Sequence, residues 1–386
     1  MLFNEVIGQS EIKARLRGLV EHNRLSHALL LSAPEGSGAL PLALAFAQFV
    51  LCEHVTGPLS GEAFPSESCG VCPSCRKAMQ LIHPDIHYTY PVVVKKPGEK
   101  PVSADYIAEW REFIAKFPYG NIFDWLQYIE ADNKQGNITA NECNEINRKL
   151  SLKSFEGGYK ILIMWMPEYL RNEGNKLLKL IEEPPPETLF ILVTEDEEQI
   201  LPTILSRVQN LHLPRPSVSE ICEALISREG VRPEKARQVA AVCEHNYRQA
   251  LHQLQNDEDD WLGQLREWLN AILKTGPVNQ VKWVDQIGKA GREKQKQFLQ
   301  YFIHLLEQAI RLRMHEAVVT DMPDAERDFA LRLNKTADLT AQQAMVQELN
   351  RSVYYIERNA HAKLLFHALT IRLYHILASG EEAVVM

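Results

Sequence analysis

Three groups of residues have the types and spacing to do chemistry. The first is CGVCPSC, which sets Cys69, Cys72 and Cys75 at successive C-x-x-C intervals, with Cys52 upstream at the end of an apolar stretch. Thiolates three residues apart in a turn can converge on one ion, and zinc takes four such ligands tetrahedrally with Zn–S of about 2.3 Å. A set with no open coordination position would be structural, not catalytic. Disulfides are one alternative, disfavoured by the tight spacing and by an odd total of seven cysteines. An iron–sulfur cluster is another, but the bacterial run needs a further Cys-Pro where Met79 stands. Cys52 is the favoured fourth ligand, with His54 and His83 as nearby alternatives. Cys143, Cys222 and Cys243 lie in helical stretches and read as packed thiols.

The second group is SAPEGSGALPLA, residues 32–43, with the frame of a phosphate-binding loop. In a working G-x-x-x-x-G-K-[ST] loop the lysine neutralises phosphate charge and the hydroxyl holds Mg²⁺. Gly38 occupies the second glycine place, but Ala33 stands at the first, and Ala39 and Leu40 replace the lysine and hydroxyl. Gly36 and Gly38 would still turn the backbone tightly before a helix N-terminus. The acidic pair expected at the end of a neighbouring strand is missing too. After KILIM come Trp165, Met166 and Pro167, and Glu168 is the nearest carboxylate. Two independent losses argue against hydrolysis and against ATP or ADP as a cofactor; the competing reading is an ATPase rearranged around Glu168.

The third group is Ser206-Arg207 in ILPTILSRVQNLHL, just before a strand-like segment. An outward arginine is ordinarily a solvated charge. In a chain that cannot use it for its own chemistry, it can instead stabilise charge at a neighbour's γ-phosphate.

The elements that must position these groups alternate in type. Residues 1–27 look helical, and 27–33 reads as a buried strand entering a turn at Pro34 and Gly36. Pro41 suits the first turn of the apolar helix that follows. YKILIMW (159–165) and TLFILVT (188–194) are apolar on both faces, as in a parallel sheet covered by helices on both sides. NEGNKLLKLIEE between them reads as a helix stopped by Pro184–Pro186. The expected fold is therefore an α/β domain with a parallel sheet over 1–213. Short helices over 214–257 follow, with Ser217 or Ser219 starting the first, and then an all-α stretch over 258–386. Residues 92–136 fit this plan poorly: they hold KKPGEK and then Trp110, Phe113, Phe117, Tyr119, Phe123, Trp125 and Tyr128. They read as an insertion packing its own rings, or alternatively as an aromatic partner-docking surface.

Composition excludes several classes. A net charge of −8 over 386 residues argues against a chain that coats nucleic acid. No apolar run approaches a membrane span, and the charged N-terminus lacks the apolar core of a secretory signal. A cytoplasmic protein is expected.

VIGQ (6–9), RLSHALLLSAPEGSG (24–38), the cysteine module at about 52–75, HPD (83–85), NKLLKLIEEPPPETLFILVT (175–194) and ILSRV (204–208) together resemble the delta-prime family of bacterial DNA polymerase III clamp-loader subunits, a branch of the AAA+ proteins. The resemblance implies a RecA-like domain with an inserted zinc module, a small helical lid and a helical collar through which subunits assemble. It implies a non-hydrolysing subunit whose Ser206 and Arg207 reach the ATP site of an adjacent, tau/gamma-type ATPase. Its other implied partners are a delta-type clamp-opening subunit and, through the assembly, the sliding clamp and primed DNA. Val208 stands where cysteine is usual, and residues 92–136 exceed the family pattern. Arg248 falls where active relatives keep a nucleotide-sensing arginine; a solvated or interdomain role is expected for it here.

Overall fold

Alternate residues of the apolar strands face opposite ways, and both faces are covered. In the computed structural model, Leu29, Leu31, Ile161, Ile163, Leu189 and Ile191 enter one core cluster. Ala28, Leu30, Leu162, Met164, Phe190 and Leu192 enter another on the far side of the sheet. The structure describes residues 1–54, 67–94, 98, 100–131, 134–243, 245–255, 260–314, 323–357 and 360–379. Part of the cysteine module, part of KKPGEK and the boundary expected near 258 lie outside them. The chain divides into two units, 1–253 and 254–386.

The first unit holds β1 (Ala28–Ser32), β2 (Ile86–Thr89), β3 (Lys160–Trp165), β4 (Thr188–Thr194) and β5 (Gln209–His212), all parallel, in the order β2-β3-β4-β1-β5. Between α1 (Ser10–Glu21) and the cysteine helix α3 (Pro73–Met79) runs α2 (Ala39–Val50), buried along nearly its whole length. The insertion supplies α4 (Ile107–Lys116) and α5 (Ile122–Tyr128), and α6 (Ala140–Ser151) returns the chain to β3.

Two local expectations need correcting. The helix expected over residues 172–183 is regular only at α7 (Leu178–Glu182); Pro167–Leu177 is 3-10 helix broken at Arg171, whose φ is 47° and ψ −134°. Asn172, Gly174 and Asn175 are weak helix formers, and a Cβ on Gly174 would stand 2.9 Å from Ile204 Cδ1, so tight packing sets the path instead. Strand β2 has no counterpart among the expected elements. At four residues, with His87 and Thr89 among them, it is a short edge strand lacking an apolar run.

The one-turn α8 (Pro202–Leu205) leads into β5, after which come α9 (Val218–Glu229), α10 (Pro233–Val242) and α11 (Tyr247–Gln255). Ser217 caps α9, its hydroxyl accepting from Glu220 N–H while the Glu220 carboxylate accepts from Ser217 N–H. Among the described residues of the second unit, every regular element is a helix, from α12 (Trp261–Asn270) to α17 (Ala362–Ser379). Its core centres on Trp268 and Trp283, stacked at 4.6 Å, with the Trp268 indole N–H donating to Thr370. Among the described residues no helix is long and apolar enough to cross a membrane.

Candidate functional site

The glycine loop leaves the C-terminal end of β1 and enters α2. Gly36 and Gly38 adopt φ of 74° and 87°, and Gly38 caps the helix. Ala39 and Leu40 are buried apolar side chains. The face of the loop is covered by protein. A Cβ on Gly38 would stand 2.9 Å from Cε1 of Tyr119, whose hydroxyl oxygen accepts the Ile7 N–H at 2.9 Å. A Cβ on Gly36 would fall 1.9 Å from the Asn246 side-chain oxygen. What remains is a small cleft, open to solvent, between the loop, Pro118–Gly120 and the strand ends at Trp165 and Val193–Glu195.

Trp165 and Met166 are buried at the end of β3, with no carboxylate in either place. The insertion's rings pack there: Trp110 lies 5.2 Å and Phe113 6.1 Å from Trp165, and Trp110 stacks on Tyr90 at 4.0 Å. None of the eight aromatic residues of the insertion is exposed, so they do not form a docking surface. Glu168 is half-buried, and its carboxylate accepts from the Thr194 hydroxyl at 3.0 Å. Burial, only partly offset by that hydrogen bond and neighbouring N–H groups, pushes its pKa up to about 7.

Arg248 is not solvated. It is 3% exposed, and its Nε and Nη2 grip the two carboxylate oxygens of Asp124 at 2.5 and 2.7 Å. Its Nη1 donates to Glu35 of the glycine loop at 3.0 Å. His252, one turn on in α11, meets Asp124 at 3.2 Å, and Asn121 and Asn246 each donate to Glu35. Burial alone would raise the Asp124 pKa. The bonds from Arg248 and His252 outweigh it and hold the carboxyl well below the usual range.

Arg207 stands at the opposite end of the sheet. Gln209, two residues after it, pairs with Leu29, whereas the glycine loop begins after Ser32. Roughly 13 Å of strand therefore separates the level of Gln209 from that of Ala33. Arg207 Nη1 donates to Thr203 O at 2.9 Å and Ser206 Oγ at 3.2 Å, while Nε meets Glu182 at 3.3 Å. Thus LIEEPP and LSR, far apart in sequence, converge. The pair is accessible, with Arg207 32% and Glu182 57% exposed, so the arginine is free to trade this carboxylate for another anion.

The sulfurs of Cys52, Cys69, Cys72 and Cys75 all lie within 4.8 Å of one another, and Cys69 Sγ to Cys75 Sγ is 3.9 Å. Tetrahedral thiolates at about 2.3 Å from one ion stand about 3.8 Å apart, so the spacing fits. Backbone N–H groups of Cys69, Cys72 and Cys75 donate to the sulfurs of Cys52, Cys69 and Cys72, stabilising thiolate charge. All seven cysteines are free thiols. His83 is engaged elsewhere, with Ser74 at one ring nitrogen and the Asp85 N–H at the other, and His54 is exposed.

The family model described as "DNA polymerase III, delta subunit" matches residues 8–217, more than half the chain. The chain belongs to this family. Among curated delta-family relatives, DNA polymerase III subunit delta' of Escherichia coli (strain K12) is 26% identical over 92% of this chain and 90% of its own length. Subunit delta' of Bacillus subtilis (strain 168) is 28% identical over 65% of this chain. Subunit tau of the same organism is 25% identical over 76%. The chain spans only 60% and 44% of those two Bacillus proteins. Its architecture is a five-stranded parallel sheet followed by helices, the α/β fold expected from the sequence.

Sequence reasoning overlooked Glu35, Tyr119, Asp124 and Asn246 as neighbours of the loop. Asn121 and Asp124 do form a capping box that marks the start of α5. Nothing in spacing, however, ties Asp124 to an arginine 124 residues later.

Proposed function

We propose that the chain is a non-hydrolysing clamp-loader subunit that presents Arg207, oriented by Ser206, to the ATP site of an adjacent subunit. The observation that carries this reading is the separation of two sheet ends. The glycine loop, without lysine, hydroxyl or acidic pair, lies at one, and a retained, accessible arginine lies at the other, out of reach of that loop. A guanidinium at a neighbour's γ-phosphate is worth roughly 10³–10⁵ in rate in well-studied systems. The partners are a tau/gamma-type ATPase and a delta-type clamp-opening subunit, with the sliding clamp and primed DNA reached through the assembly in the cytoplasm.

The proposed division has a RecA-like domain over 1–213 with an extra insertion at about 92–136, a lid over 214–257 and an oligomerising collar over 258–386. Leu364, Ile371 and Tyr374, exposed apolar residues along α17, support the collar assignment. Cys52, Cys69, Cys72 and Cys75 would hold one structural Zn²⁺ that fastens α3 to the end of α2.

The test is reconstitution with wild-type or Arg207→Ala chain, reading clamp- and DNA-stimulated ATP hydrolysis. Arg207→Ala should assemble normally and slow hydrolysis sharply, because its contacts here are to an exposed partner and cost little to lose. Unchanged hydrolysis refutes the assignment. Turnover by the isolated chain, abolished by Glu168→Ala, would favour the rearranged ATPase instead.

A further inference from the structure

An arginine aimed at a glycine loop ahead of a helix N-terminus is suited to grip a phosphate group. In this chain both sides of that grip are already filled by its own side chains. The Arg248 fork is closed on Asp124, a residue of the insertion, and its remaining arm on Glu35, a residue of the loop. The same two segments cover the loop itself. Tyr119 lies against Gly38 and Asn246 against Gly36, and the rings of Tyr119 and Tyr247 meet edge-on at 4.9 Å. Residues 119–124 and 246–252 therefore act together, masking the loop's backbone and saturating the arginine.

We propose that Asp124 and Glu35 are a built-in ligand for Arg248: the chain's own carboxylates take the place of a phosphate anion and fasten α11 to the glycine loop without a nucleotide. The geometry suits permanence. A bidentate carboxylate–guanidinium pair buried on both sides, with His252 and the Asn121 N–H completing the Asp124 oxygens, is difficult to displace piecemeal. The insertion then has a purpose that its rings alone do not explain. Trp110 and Phe113 seat it on Trp165, Trp125 packs against both of those rings, and α5 delivers the anion. This inference stands apart from any role of Arg207.

The test uses the full chain, inorganic pyrophosphate as probe, and amide hydrogen exchange read by segment. In wild type, millimolar pyrophosphate should leave exchange over 35–41 and 247–255 unchanged. Asp124→Ala should accelerate exchange in both segments by about 100-fold or more, since it strands a buried charge, while β3 and β4 stay protected. Pyrophosphate should then restore protection. Asp124→Ala combined with Arg248→Met should lose the pyrophosphate response and recover part of the protection, because no charge is left unpaired. If Asp124→Ala does not fold, Asp124→Asn, which keeps the shape and one acceptor, carries the same readouts. Wild type protected further by pyrophosphate would make the insertion a displaceable lid and overturn the proposal. So would loosened segments that pyrophosphate fails to protect again, or a variant whose exchange is unchanged.

Discussion

Replacing Gly38 with alanine measures whether Tyr119 is truly seated on the loop. Gly38 has φ 87° and ψ 28°, a left-handed conformation that costs an L-residue about 1–2 kcal/mol. The added Cβ would also stand 2.9 Å from the Tyr119 ring. That ring has little room to retreat, being held by the Ile7 N–H at its oxygen and by Tyr247 across its plane. Overpacking of this kind adds about 1–3 kcal/mol, so the total is about 2–5 kcal/mol, a large part of a typical domain's stability. Gly157→Ala supplies the control: its φ is 84° but nothing lies within 4 Å of where its Cβ would stand, so only the backbone cost applies. The assay is amide exchange of β1, β3 and β4, which reports opening of the first unit without the tryptophans of the second. Combining Gly38→Ala with Tyr119→Leu should destabilise by at least about 1 kcal/mol less than the sum of the single changes. If Gly38→Ala costs no more than Gly157→Ala, or the two changes add without coupling, the loop is not covered as described.

Cys72→Ser and Cys75→Ser should each abolish an otherwise stoichiometric zinc content, read by elemental analysis, and loosen α3 while leaving exchange in β3 and β4 intact; a metal content unaffected by either change refutes the ligand set. Glu168 predicts a pH dependence. Its pKa rises from an ordinary 4.5 in the unfolded chain to about 7 in the fold, so the folded state binds more protons between those values. Its contribution is therefore fully present below about pH 4.5, falls as pH rises towards 7, and is flat above. Allowing for its partial exposure, Glu168→Gln should stabilise the first unit at pH 8 by about 1–2 kcal/mol and have little effect at pH 4.5. Denaturant titration at both pH values checks this, and an equal effect at both would refute it.

The strands β1, β3 and β4 were legible because they are buried on both faces, which writes them as unbroken apolar runs. β2 was not, since a four-residue edge strand carries His87 and Thr89 and has no such run. The cysteine set was readable because its chemistry is local: a turn brings Cys69, Cys72 and Cys75 together whatever the rest of the fold does. The loop's missing groups were readable too, being substitutions at fixed offsets from Gly38. The covering of the loop was not, because it depends on side chains from 119–124 and 246–252 meeting through the fold. Arg248 marks that limit most sharply. By residue type it reads as a surface cation, and only the three-dimensional approach of Asp124 makes burial tolerable.

A parallel sheet gives its two ends separate fates. Everything that hydrolysis would require collects at the C-terminal ends of β1 and β3. There Ala39, Leu40, Trp165 and Met166 are buried apolar side chains, and Trp110 and Phe113 of the insertion pack on Trp165. Arg207 precedes β5, at the N-terminal end, and is held by Thr203 on α8 and by Glu182 at the C-terminal end of α7. Between these two places lies the shared sheet itself, apolar on both faces. A change at the loop therefore need not disturb the arginine.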